Sequence, residues 1–151
     1  MPVLVSILDG GFGSEITPEI VIGVPEWTDL EINLPLRADG DRRHRTIIDR
    51  AEGKYALTRC RTLEKFTHHA LIEVTPETGR THQIRAHLAT IGFPIAGDEF
   101  YGAPKNDRGL INRSALHARS ITLKHPITHQ AIQIDAPYPI DFDSALKVLR
   151  K

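Results

Sequence analysis

Apolar and polar positions alternate along several short stretches of this chain. Glu31-Ile32-Asn33-Leu34 reads as a strand stopped by Pro35, and Arg45-Thr46-Ile47-Ile48-Asp49 as a second, followed by a turn at Glu52-Gly53. From Tyr55 to Leu63 the side chains of Tyr55, Leu57, Arg59 and Arg61 fall on one side and those of Ala56, Thr58, Cys60 and Thr62 on the other. His69 to Thr75 places Ala70, Ile72 and Val74 together, and Pro76-Glu77-Thr78-Gly79 breaks the strand. The period then changes. Thr81 to Ile91 predicts a helix with Ile84, Leu88 and Ile91 inward, Thr81 as its cap, and Gly92 and Pro94 at its end. Leu116–Lys124 and Gln130–Asp135 predict a hairpin about His125-Pro126-Ile127-Thr128, and Asp141–Arg150 predicts an amphipathic helix with Leu146 and Leu149 inward. The fold class is therefore α+β, a mainly antiparallel mixed sheet with a few packed helices.

Composition narrows this further. With 151 residues, 40% of them hydrophobic and 25% charged, the chain suits one globular domain and not a disordered, collagen-like or coiled-coil protein. The apolar run Val3–Leu8 is too short to span a bilayer and has no basic residues before it, so no membrane partner is expected. A single cysteine, Cys60, excludes a disulfide framework and reads as a small buried strand residue, which favours a reducing, cytoplasmic setting. The net charge is zero, yet residues 1–35 hold six acids and no Lys or Arg. Residues 42–61 carry a local charge of +5, with Arg42, Arg43, Arg45 and Arg50 at their head. Such a segment is either a phosphate footprint or a solvated face.

Polar chemistry concentrates at the first helix start. In Thr78-Gly79-Arg80-Thr81-His82-Gln83-Ile84-Arg85-Ala86-His87 a strand turns tightly into a helix, and His82 and Arg85 are neighbours on one helix face. A helix N-terminus suits a phosphate or carboxylate, and Arg85 is the residue expected to meet a partly buried carboxylate through its planar fork of donors. The alternative is an exposed helix decorated with polar residues. Metal binding is not expected: His82 and His87 are misaligned on a helix, and the strand pair His68-His69 points to opposite faces. Gly10-Gly11-Phe12-Gly13 matches no phosphate-binding loop, and no G-x-S-x-G elbow is present.

The run Pro76-Glu77-Thr78-Gly79-Arg80-Thr81-His82-Gln83-Ile84-Arg85-Ala86-His87-Leu88 resembles the signature of RluA-type RNA pseudouridine synthases. Gly92-Phe93-Pro94-Ile95, Gly97-Asp98 with Tyr101-Gly102, Leu116-His117-Ala118, His125-Pro126 and Ala136-Pro137-Tyr138-Pro139 follow in the family's order, and Gly23-Val24-Pro25 and Leu34-Pro35-Leu36 precede it. The resemblance covers residues 20–151, read as the C-terminal portion of the catalytic domain, and leaves 1–19 as an unassigned segment. It implies isomerisation of uridine to pseudouridine in RNA, with ribosomal RNA expected, and without cofactor or metal. It assigns Arg85 an accessory catalytic role, orienting the attacking Asp. Ile84 would wall the uracil, with Arg80, His82, Gln83 and His87 as substrate contacts and Arg42, Arg43 and Arg45 on the RNA.

The family's nucleophile motif, H-R-L-D followed by T-S-G, does not occur here. His44-Arg45-Thr46-Ile47-Ile48-Asp49-Arg50 is only superficially similar, because it lies after Gly23-Val24-Pro25, so Asp49 is read as a decoy. The family's Tyr would fall near Thr17. The expectation is a truncated synthase portion, inactive alone, with Arg85 lacking its charge partner and a sheet edge open to a second chain or to self-association. Val3–Leu8 could cover that edge as a substitute strand. The alternatives are an RNA-binding remnant without catalysis, or a truncated gene product without function.

Overall fold

The strand at the centre of the sheet is one that hydrophobic alternation does not announce. The computed structural model describes residues 13–105 and 109–151; the Val3–Leu8 run lies outside them. Eight strands are formed: β1 (Gly13–Ile22), β2 (Asp29–Asn33), β3 (Leu36–Arg37), β4 (Ile47–Ile48), β5 (Leu57–Lys65), β6 (His69–Pro76), β7 (Ser120–Lys124) and β8 (Ala131–Asp135). They make a six-stranded sheet in the order β2-β5-β6-β1-β7-β8 and a separate β3-β4 pair, and the paired strands run antiparallel throughout. Among the described residues two α-helices, α1 (Gln83–Thr90) and α2 (Ile140–Leu149), complete the α+β architecture.

β1 runs across the boundary drawn between residues 19 and 20, so that division falls inside one strand. One edge of β1 pairs with β6 from Thr17 to Ile22. The other pairs with β7 over Gly13–Ile16 and then receives two irregular segments. Ile20 N–H donates to the Ala115 carbonyl (3.0 Å), Ile22 N–H to that of Pro94 (2.9 Å), and Ala96 N–H to that of Ile20 (2.8 Å). Pro18 stands mid-strand because it pairs there through its carbonyl, which accepts from His117 N–H at 3.2 Å. The segments that carry the site residues are therefore pinned to the middle of the sheet.

Directly opposite residues share a sheet face, which sets Thr17 with Val74 and Cys60, and Glu19 with Ile72 and Thr62. On that face β1 presents Glu15, Thr17 and Glu19, all buried. This polar inward row is why alternation failed to mark the strand. Cys60 is buried on β5, as expected, and burial pushes its thiol up to about 12. The main core joins Ile20, Val21, Ile72, Val74, Leu88, Ile95, Phe142 and Leu146. α2 is further tied to β5 by Arg150, whose guanidinium donates to both oxygens of Glu64 (2.8 and 3.1 Å).

Glu19 is fully buried and neither carboxyl oxygen has a hydrogen-bond partner. Burial raises its pKa well above the ordinary value, an effect that the nearby Thr17 hydroxyl only partly offsets and the charge of Glu15 reinforces. The folded chain thus keeps the proton at a pH where the unfolded chain, ionising above about pH 4.3, has lost it. Stability from this group is present below that value and is lost as pH rises toward the folded pKa. Urea unfolding at pH 5, 6 and 7 should show the parent losing ground against Glu19→Gln by up to about tenfold in equilibrium constant per pH unit. A gap independent of pH would show Glu19 to be ionised in the fold.

Candidate functional site

The turn after β6 and the first turn of α1 bring together the residues singled out around Arg85, but on two different sides. Gln83 and His87 face inward. The Gln83 amide nitrogen donates to the Leu57 carbonyl and the Thr58 hydroxyl (both 2.9 Å), while its oxygen accepts from Thr78 Oγ1 (2.8 Å) and Arg80 N–H (3.0 Å). His87 is fully buried, with Nδ1 at 2.8 Å from Thr58 Oγ1 and Nε2 at 2.8 Å from the Leu34 carbonyl. These two rivet α1 to β5 and to the β2–β3 link, so substrate contact from them gives way to a structural role. Burial lowers the His87 pKa, and its hydrogen bond to Leu34 offsets this in part. Ile84 is half-buried against the core beside Leu88. Thr81 does not cap the helix: the cap position is His82, in the left-handed region at φ 49°, and Gln83 supplies the local bonding instead.

The outer side is built around Arg85. Its Nε and Nη2 donate to the two carboxylate oxygens of Asp98 at 2.7 and 2.9 Å. The Asp98 side chain is 2% exposed and that of Arg85 24%. The guanidinium therefore does not lack a partner: the carboxylate comes from the segment hydrogen-bonded to β1. Gly97 makes the approach possible, since its φ is +79° and a Cβ there would lie 2.2 Å from the Arg113 carbonyl oxygen. The Asp98 hydrogen bond raises the Arg85 pKa still further.

Tyr101, three residues on in a 3-10 turn (Glu99–Tyr101), floors the pair, with the Arg85 guanidinium 4.7 Å from its ring centre. Its hydroxyl accepts from Thr46 N–H (3.0 Å) and lies 2.9 Å from His82 Nδ1. Burial and then the Arg85 charge lower the His82 pKa. Arg45 Nη1 donates to the Phe100 carbonyl (3.4 Å), and Arg43 lies over the Phe100 ring at 5.3 Å. The basic segment is thereby docked on the same turn that supplies Asp98. Arg80 stands apart, its Nε donating to the Tyr55 carbonyl at 2.8 Å. Asp49 is held by Arg37 Nε (2.6 Å) and by the N–H groups of Ala51 and Glu52 (both 2.9 Å), and its pKa is lowered, first by the Glu52 bond and then by Arg37. It shapes a turn. A groove of about 400 Å³, lined by residues including Arg45, Thr46, Ile48, Ala86 and Tyr101, runs beside this group.

Asp98 and Tyr101 were legible only as members of a G-D-x-x-Y-G string. Their pairing with Arg85 depends on the β1 edge contacts and has no local signal.

A family model described as RNA pseudouridylate synthase matches residues 17–90. The ribosomal large subunit pseudouridine synthase D of Pseudomonas aeruginosa is 38% identical over 159 residues, covering 98% of this chain and 49% of its own length. The dual-specificity RNA pseudouridine synthase RluA of Pasteurella multocida is 41% identical over 119 residues, 78% of this chain and 54% of that protein. Among solved structures, human RNA pseudouridylate synthase domain containing 1 superposes with a TM-score of 0.76 over 96% of this chain and 69% of its own, at 22% identity, a likeness of fold. This chain spans about half the length of the curated relatives it matches.

The buried pair sets a stability test. Arg85→Leu strands a carboxylate that is 2% exposed and should cost roughly 3 kcal/mol in urea unfolding, whereas Arg85→Leu with Asp98→Leu should recover most of that loss. Additive losses would mean that the two side chains are not coupled.

Proposed function

This chain belongs to the RluA-type RNA pseudouridine synthase family, and on that premise we propose that it acts on RNA as the arginine-bearing portion of a uridine-isomerising domain, binding the strand without isomerising it alone. Ribosomal RNA is the proposed target class, by analogy with the relative named for the large ribosomal subunit. The buried free thiol of Cys60 suits the reducing interior of a cell. A second chain, docking on the largely exposed edge strand β8, is the proposed source of the attacking carboxylate.

The observation that carries this reading is the placement of the basic segment beside Arg85. Within it Arg45 is paired with Asp41, Arg59 with Glu31 and Glu77, and Arg61 with Asp29, while Asp49 is taken by Arg37 from outside the segment. Arg42, Arg43 and Arg50 are exposed, and among the described residues no acid pairs with them. Uncompensated guanidiniums next to a helix start favour a polyanion over a solvated face. Cleavage and re-formation of a glycosidic bond also need a carboxylate free to attack. Asp98 is buried with both oxygens held by Arg85, and Asp49 is held by Arg37 and its turn. Neither can reach a sugar carbon.

Incubating the 151-residue chain with unmodified ribosomal RNA and reading pseudouridine by mass spectrometry should give no product, and robust turnover would overturn the second half of the proposal. Binding to single-stranded RNA should weaken with salt at a log–log slope of roughly −2, as expected for about three phosphate contacts. That slope should flatten in an Arg42→Gln, Arg43→Gln, Arg50→Gln variant. Absence of RNA binding at low salt would remove the first half.

A further inference from the structure

Two cations of the site, Arg43 and Arg85, converge on the Phe100 ring. The ring is half-buried, with the Arg43 guanidinium 5.3 Å and the Arg85 guanidinium 5.8 Å from its centre, and with the edges of His82 and Tyr101 at 6.5 and 5.3 Å. The contacts differ in kind. Arg85 is fixed by Asp98, and the Phe100 backbone is fixed by Arg45. Arg43 is exposed and has no acidic partner among the described residues; only the ring face holds its guanidinium. A half-buried aromatic ring capped by one movable cation, inside an otherwise anchored cluster, is unusual on a surface that needs only to stay soluble.

We propose that Phe100 is a stacking platform for one unpaired base of the bound RNA strand, with Arg43 moving off the ring to the adjacent phosphate when the base arrives. A guanidinium and a nucleobase are both flat and both stack on a phenyl face, but an exposed cation–π contact is weaker than base stacking, so the exchange runs in favour of RNA. Releasing Arg43 also frees a cation at the moment a phosphate comes within reach, which couples stacking to charge neutralisation. The ring lies on the 3-10 turn that carries Tyr101, and Tyr101 floors Arg85. The stacked base therefore belongs to a nucleotide near the target uridine in the strand, not to the target itself. Duplex RNA, whose bases are already stacked, does not use the platform.

This inference rests on the RNA reading above, and its test separates the two. A single-stranded oligouridylate of twelve nucleotides, carrying one 2-aminopurine in place of a uridine, is titrated with the full chain and with Phe100→Leu, Phe100→Tyr and Arg43→Gln, each checked for an unchanged thermal unfolding midpoint. The parent should quench the 2-aminopurine emission. Phe100→Leu should bind about tenfold more weakly and lose the quench while keeping its salt slope, and Phe100→Tyr should restore both. Arg43→Gln should keep the quench and lower the salt slope by about one contact. Tight, salt-dependent binding by the parent with equal affinity and equal fluorescence for Phe100→Leu would sink the platform and leave the RNA reading standing. No binding by the parent would remove both.

Discussion

A carboxylate that is 2% exposed needs partners for both oxygens, and the bidentate bond from Arg85 to Asp98 is the constraint that supplies them. Holding it requires two distant parts of the chain to be fixed with respect to each other. Arg85 is positioned by α1, which Gln83 and His87 bolt to the Thr58 hydroxyl and to the Leu57 and Leu34 carbonyls. Asp98 is positioned by Gly97 and by the hydrogen bonds of Pro94 and Ala96 to β1. The ion pair thus closes a loop from helix to sheet edge and back. Tyr101 extends that loop to the basic segment, because its hydroxyl accepts from the Thr46 backbone.

Several strands that alternation announces bury apolar residues, Ile32 on β2, Ala70, Ile72 and Val74 on β6 and Ile121 on β7, whereas β5 buries Thr58 beside Cys60 and β8 is largely exposed. β2, β5, β6 and the β7-β8 hairpin come out close to their predicted spans, and α2 spans Ile140–Leu149 where Asp141–Arg150 was expected. β1 was not legible. Its inward side chains are Glu15, Thr17 and Glu19, and it contains Pro18, so pattern and propensity both argue against a central strand. Tertiary pairing on both edges overrides them. In and just after α1, Ile84, Leu88 and Ile91 face the core as expected, and the buried face is wider than they mark: Gln83 and His87 are polar, yet they lie inside because every polar atom on them meets a partner.

The same logic explains how much of the site could be read in advance. That Arg85 meets a carboxylate follows from the chemistry of its position at a helix start. Which carboxylate it meets does not follow, because Asp98 is thirteen residues away in sequence and arrives through an irregular segment. The basic segment was an even choice between a phosphate footprint and a solvated face. Setting aside Arg45, Arg59 and Arg61, which pair with acids, leaves Arg43 over the Phe100 ring and Arg42 and Arg50 exposed, which supports the phosphate reading proposed above.

Among the described residues, Asp98, Asp49 and Glu19 are each engaged or enclosed by a different physical cause. Asp98 is close but fully engaged, and loosening it would leave Arg85 without its fixed orientation. Asp49 is ionised but committed to a turn and to Arg37. Glu19 has both oxygens without a hydrogen-bond partner, but it is fully buried among core side chains, and that burial raises its pKa well above the ordinary value. Beside them stand an arginine fixed by Asp98, a histidine within hydrogen-bond distance of a tyrosine hydroxyl, and an aromatic ring under an exposed guanidinium. Flat faces next to uncompensated positive charge are the features by which, on the proposed reading, the chain holds a nucleic acid strand.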